Sequence, residues 1–141
     1  MGSMTRDESV SFLTAGTRTG KLATASAAGA PHVAPVWFVL DGDELVFTTY
    51  GTSVKGRHLT VNPRAALTVD ISEYPYSFVA VRGAVTLSAA PDELLTWATR
   101  IAERYVPAGR AEEYGRRNSI EGELLCRLKL EHVVGVADIA L

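Results

Sequence analysis

Residues 48–59 read Thr-Thr-Tyr-Gly-Thr-Ser-Val-Lys-Gly-Arg-His-Leu. Hydroxyls, two glycines and two cations, Lys55 and Arg57, crowd one strand-to-helix junction. Such a junction suits a phosphate. Backbone N–H groups left free at a helix start, hydroxyl donors and Lys or Arg side chains all stabilise an anion. The competing reading is a polar loop capped by Ser53, with Lys55 and Arg57 as solvated charges. The GxxxxGK[ST] order of a P-loop is absent.

Other chemistry is harder to find. His32, His58 and His132 are scattered, with no HxH or HxxxH spacing, so no metal site is expected. Serines such as Ser77 lack a GxSxG elbow, and no carboxylate pair stands out. No catalytic residue is assigned. Trp37 and Phe38 alternate across a sheet, so one should face the core and the other a groove. Trp97, Tyr105 and the aliphatic stripe of a late helix read as core. Cys126 lies between apolar residues and reads as buried and inert. A phosphate cradle with aromatics, but with no nucleophile or metal, suits an enzyme whose cofactor carries the chemistry.

The elements that would position these residues are mostly strands. Thr5 and Glu8 have capping-box spacing, and the helix they open should bury Val10, Phe12 and Leu13 and stop at Gly16. Lys21 to Ala27 reads as a strand, followed by a turn at Ala28–Pro31. His32 to Leu40 reads as one second strand, with Pro35 marking an edge or a bulge. Asp41-Gly42 signals a hairpin into a third strand from Leu45 to Tyr50. A short helix fits within Gly51–Val61. Arg64 to Ile71 and Tyr76 to Ser88 read as strands, with a bulge expected at Gly83. Pro91 opens a helix with Asp92 and Glu93 in its first turn. Its buried stripe should be Leu94, Ala98, Ile101 and Tyr105, with Leu95 and Ala102 beside them. Ala111 to Arg117 reads as a polar helix, then Glu123–Leu130 and Val133–Ile139 as two strands. Six or seven strands in sequential hairpins suggest a small antiparallel barrel, mainly β with minor α.

Composition bounds the rest. The 141 residues fit one domain spanning 4–141, with Met1-Gly2-Ser3 read as an expression-tag scar. Hydrophobic residues make up 47% and charged residues 21%, enough for a real core. A formal net charge of −2 gives no support for nucleic-acid binding. A single cysteine excludes an intrachain disulfide. No apolar run is long enough for a membrane helix, and a cytoplasmic location is expected.

The order and spacing of several stretches resemble the pyridoxamine 5'-phosphate oxidase-like split barrels. Within them, the resemblance is to the small F420-dependent reductase branch. The resembling stretches are Gly20–Thr24, Gly29–Phe38, Lys55–Leu59 ahead of Asn62-Pro63-Arg64, and Val79–Gly83. Arg104-Tyr105 and Leu124-Leu125 also fit, so the resemblance covers nearly all of the chain from Leu13 to Ala140. It implies an antiparallel FMN-binding split barrel with flanking helices, forming a homodimer with two cofactor sites between subunits. Ser53, Lys55 and Arg57 would hold the cofactor phosphate, helped by Thr48 and Thr49. The strand carrying His32, Pro35, Val36 and Trp37 would run beneath the tricyclic ring, and Tyr76 would wall the pocket across the dimer. His58 stands where the family usually has asparagine.

The resemblance implies a deazaflavin cofactor, F420, with FMN as the alternative. The relatives that oxidise pyridoxamine phosphate add a basic C-terminal segment, whereas this sequence has no Lys or Arg after Lys129. The implied reaction is hydride transfer between the reduced deazaflavin and a small electron-poor organic acceptor. An FMN-dependent oxidase and a non-catalytic carrier, sensor or haem-type binder are the rival readings.

Overall fold

The computed structural model describes residues 2–141; Met1 lies outside them. Nine strands and four helices form among these residues. The first strand is β1 (Gly2–Ser3), followed by α1 (Arg6–Thr14), β2 (Gly20–Ala25), β3 (Pro31–Val36), β4 (Val39–Asp41) and β5 (Glu44–Tyr50). Then come α2 (Val54–Val61), β6 (Arg64–Ile71), β7 (Ser77–Ser88), α3 (Pro91–Tyr105), α4 (Ala111–Arg117), β8 (Glu123–Lys129) and β9 (His132–Ala137). Every strand pairing is antiparallel. The main path runs β3-β2-β6-β7-β8-β5-β4, and β9 joins β7 to β1. This is a mainly antiparallel split barrel with flanking helices.

The long strand β7 joins the two halves. Its first part, Phe78–Arg82, pairs with β9, and its last part, Val85–Ser88, pairs with β8. Gly83 lies at the change of partner. A side chain there would strike the Lys129 carbonyl oxygen, so only glycine lets β8 pass this closely. The register with β6 runs unbroken through Ala65↔Gly83, so the expected bulge is not on that edge.

Alternation of buried and outward residues along β2, β6 and β7 points one side chain in two into the barrel. The interior is built from Leu22, Phe38, Phe47, Leu67, Val79 and Leu128, with Leu13 of α1 joining it. Full burial of side chains this size contributes about 1.5–3 kcal/mol each. A second cluster lies outside the β5–β8 sheet. There α3 brings Leu94 and Ile101 onto Val46 and Leu125. Leu95, expected beside that stripe, is exposed, because it falls one residue past the face that meets the sheet.

The expected second strand, His32 to Leu40, is broken in two. The chain leaves β3 after Val36 and re-forms as β4 in the other half of the barrel. Side chains from the end of α3 occupy the backbone at the break. Phe38 N donates to Tyr105 Oη at 3.3 Å, and Phe38 O accepts from Arg104 Nη1 at 2.8 Å. Those groups are therefore spent on the helix and not on a strand ladder. Residues 2–3, set aside as a tag scar, form a two-residue strand on Val136 and Ala137.

Candidate functional site

A cleft of about 430 Å³ opens where the ends of β3 and β5, the start of α2, and helices α3 and α4 converge. Seven of the ten expected binding residues line it: Pro35, Val36, Trp37, Thr48, Thr49, Ser53 and Lys55. The polar end is made by the turn from β5 into α2. Ser53 is the N-cap of α2; its Oγ accepts from Gly56 N at 3.1 Å and donates to Tyr50 O at 2.7 Å. Thr49 and Ser53 share a hydroxyl–hydroxyl bond of 2.9 Å. With Gly56 N capped by Ser53, the Val54 and Lys55 amides at the head of α2 have no intrahelical acceptor. Lys55 is the second residue of the helix, so its ammonium and these amides belong to the same first turn.

Gly56 has a local reason to be glycine. A side chain there would hit the Tyr50 carbonyl oxygen and lie 2.8 Å from Gly51 O. The helix can start this tightly against the end of β5 only without a Cβ. This is a requirement of close approach, not of backbone conformation.

The apolar end is framed by Trp37. Its indole stacks on the Tyr105 ring at 5.2 Å with an interplanar angle of 3°. Phe38, the next residue, points into the barrel and is fully buried. The two aromatics thus divide between groove and core. Burial pushes the Tyr105 phenol above its ordinary range, so it keeps its proton and donates to Arg18 O at 3.0 Å. Ala98 and Ile101 of α3 complete the apolar wall.

Three expected residues lie apart from this cleft. Arg57 is exposed and its guanidinium donates to Thr52 O at 2.8 Å. It braces the loop that enters α2. His32 sits edge-on to His58, with ring centroids 6.0 Å apart, and its Nδ1 is buried without a hydrogen-bond partner among the described residues. Tyr76 lines a separate surface cavity with Asp70, Phe78 and Ile139. His58 Nδ1 bonds the buried Thr24 hydroxyl at 3.0 Å, which ties α2 to β2.

Tyr50, Ala98, Ile101, Asn118 and Glu123 also line the cleft and were not expected there. Ala98 and Ile101 share the apolar stripe of α3, and periodicity does not distinguish a stripe over a core from one over a cleft. Glu123 follows a glycine at a strand start, a position with no local signature. Cys126 is fully buried, and burial pushes its thiol up to about 12, which keeps it protonated at neutral pH.

The arrangement can hold an anion at one end and a flat apolar group at the other. That pairing fits a phosphorylated flavin-type cofactor: two helix-start amides, the Thr48 hydroxyl and Lys55 at the anion-binding end, and Trp37 with Ile101 near the ring, while the buried Thr49 hydroxyl spends its proton on Ser53 Oγ and braces the turn. No helix is long and apolar enough to cross a membrane among the described residues.

Solved structures share this fold. A conserved hypothetical protein from Mycobacterium tuberculosis superposes with a TM-score of 0.80 at 22% identity, over 98% of this chain and 89% of that one. An F420 reductase superposes with a TM-score of 0.66 at 25% identity, over 87% and 94% of the two chains. The heme storage protein HutZ from Vibrio cholerae gives 0.71 at 19% identity, over 92% and 94%. No curated protein matches the chain. The family model described as pyridoxamine 5'-phosphate oxidase matches residues 5–134, and the chain belongs to that family.

Proposed function

We propose that this chain is an oxidoreductase that binds the deazaflavin F420 and transfers a hydride to a small electron-poor organic acceptor, such as a conjugated double bond, quinone or imine. The observation that supports it best is the cleft itself, with Lys55 and the head of α2 at one end and Trp37 at the other. The likeness to an F420 reductase over most of both chains supports it further. When bound, the reduced deazaflavin supplies the hydride. The chain supplies placement. The α2 amides, Thr48 and Lys55 would anchor the phosphate, with Thr49 holding Ser53 in place behind them, and Trp37 and Ile101 would border the ring and keep water from its face. Holding ring and acceptor in near-attack geometry is the protein's main contribution to rate.

The reading includes a homodimer. Helix α3 covers the outside of the β5–β8 sheet, whereas the outside of the β3-β2-β6-β7-β9 sheet carries exposed Ala23, Ala66, Val33 and Val134. Val33 is 65% exposed and Val134 55%. Such apolar residues, set among the exposed Asp70, Arg82 and His132 on the same face, suit a second copy of the chain. In that assembly His32 and Tyr76, remote from the cleft of their own protomer, would serve sites formed between subunits.

Fluorescence-quenching titration with F420 and with FMN tests the cofactor. Tighter binding of F420 is expected. Tighter binding of FMN would overturn the deazaflavin assignment and favour the flavin alternative.

A further inference from the structure

The cleft carries a carboxylate beside its lysine. Glu123 is the first residue of β8 and pairs with Tyr50, the last residue of β5. Gly51 N donates to Gly122 O at 2.8 Å, which pins the start of β8 to the turn that enters α2. The pairing therefore fixes Glu123 at the polar end of the cleft, close to Ser53 and Lys55. Among the residues that line the cleft, only Lys55 and Glu123 bear formal charge, and the two cancel. Neither side chain spends that charge elsewhere: among the described residues neither forms an ion pair or a side-chain hydrogen bond. Glu123 is half-buried, and burial raises its carboxyl above the usual carboxylate range while the Lys55 ammonium draws it down.

We infer that Glu123 sets the charge the site accepts, favouring a phosphate that is a singly charged diester over a terminal phosphomonoester. A monoester carries about −1.5 to −2 at pH 7, since its second ionisation lies near 6. A diester carries one charge. Lys55 and the α2 amides satisfy one negative charge, and a second meets the Glu123 carboxylate in a partly desolvated cleft, where like charges repel more strongly than in water. Placing a like charge against the wrong ligand is a common source of specificity. The inference rests on the deazaflavin reading: the phosphate of F420 joins the ribityl chain to an acidic tail and is a diester, whereas that of FMN ends its chain.

The test compares three ligands on the full chain and on Glu123→Gln, read by fluorescence quenching. F420 is the diester, FMN the monoester and riboflavin the form without phosphate. Glu123→Gln should tighten FMN binding about tenfold, a step expected from removing one close like charge. F420 should change several-fold less, and riboflavin should not change. Glu123→Ala repeats the comparison without the amide's hydrogen-bonding capacity and should give the same order. Equal changes for FMN and F420, or none for FMN, in a folded variant would overturn the selector role and leave the cofactor reading standing. Failure of the unsubstituted chain to bind either cofactor would sink the cofactor reading, and this inference with it.

Discussion

At the head of α2, a lysine, two backbone amides and several hydroxyls meet within one turn of chain. Lys55 contributes a point charge that forms no ion pair with an Asp or Glu side chain among the described residues. Its removal tests whether the cradle holds a phosphate. Lys55→Ala should take away one charge-assisted contact, worth roughly 1.5–3 kcal/mol. That corresponds to a loss of about tenfold or more in cofactor affinity. Thermal stability should barely move, because a partly exposed cation contributes little to folding. A solvated surface lysine would leave both quantities unchanged. Unaltered affinity in a well-folded variant would therefore remove Lys55 from the site. Arg57 shows why residue type and spacing are not enough. It follows Lys55 by two positions, which on a helix are about 200° apart. Its guanidinium turns to Thr52 O, outside the cleft.

Among the elements, α3 connects the site to the barrel. Arg104, in its last turn, donates to three carbonyls: Gly16 at 3.0 Å, Leu13 at 2.9 Å and Phe38 at 2.8 Å. One planar side chain thus holds the end of α1 and the break between β3 and β4. The same break places Trp37 in the cleft and Phe38 in the core. A lysine cannot reproduce this, because a single ammonium does not span three diverging acceptors. Arg104→Ala should destabilise the fold by about 3 kcal/mol, the scale expected when carbonyls lose bonds to a charged donor. The midpoint of thermal unfolding should fall by about 10 °C, with Arg104→Lys recovering only part of it. A midpoint within 2 °C of the unsubstituted protein (roughly the shift set by half a kcal/mol) would show that the three bonds are replaceable by water.

For the whole molecule, the asymmetry between the two outer sheet faces is the main feature. One is covered by α3 and the other is bare in the protomer. A homodimer through the bare face should bury an area typical of permanent interfaces, ~2,000 Å² or more. Ala66 lies near the middle of that face, between Ala23 of β2 and Arg82 of β7 in the strand register. Ala66→Arg should put bulk and like charge into the contact. The variant should sediment as a monomer while the unsubstituted chain sediments as a dimer at micromolar concentration. A stable monomer of the unsubstituted chain would refute the dimer outright.

Local chemistry determined a large part of this molecule. Thr5 and Glu8 make the capping box their spacing calls for, because both bonds close within one turn. Arg64–Ile71 and Ala111–Arg117 fall where alternation and polarity put them. Ser53 caps α2 and leaves Lys55 in its first turn, so the polar end of the cleft was legible in eight consecutive residues. The tertiary structure decided what depends on partners distant in sequence. The break at Trp37–Phe38 is set by Arg104 and Tyr105, more than sixty positions away. Ala98 and Ile101 face a cleft and not only a core because the ends of β3 and β5, the turn into α2 and Asn118 at the end of α4, all distant in sequence, meet beside them. Glu123 reaches the site only through its pairing with Tyr50. Periodicity reports which side of an element is apolar, but what that side meets is fixed by long-range pairing.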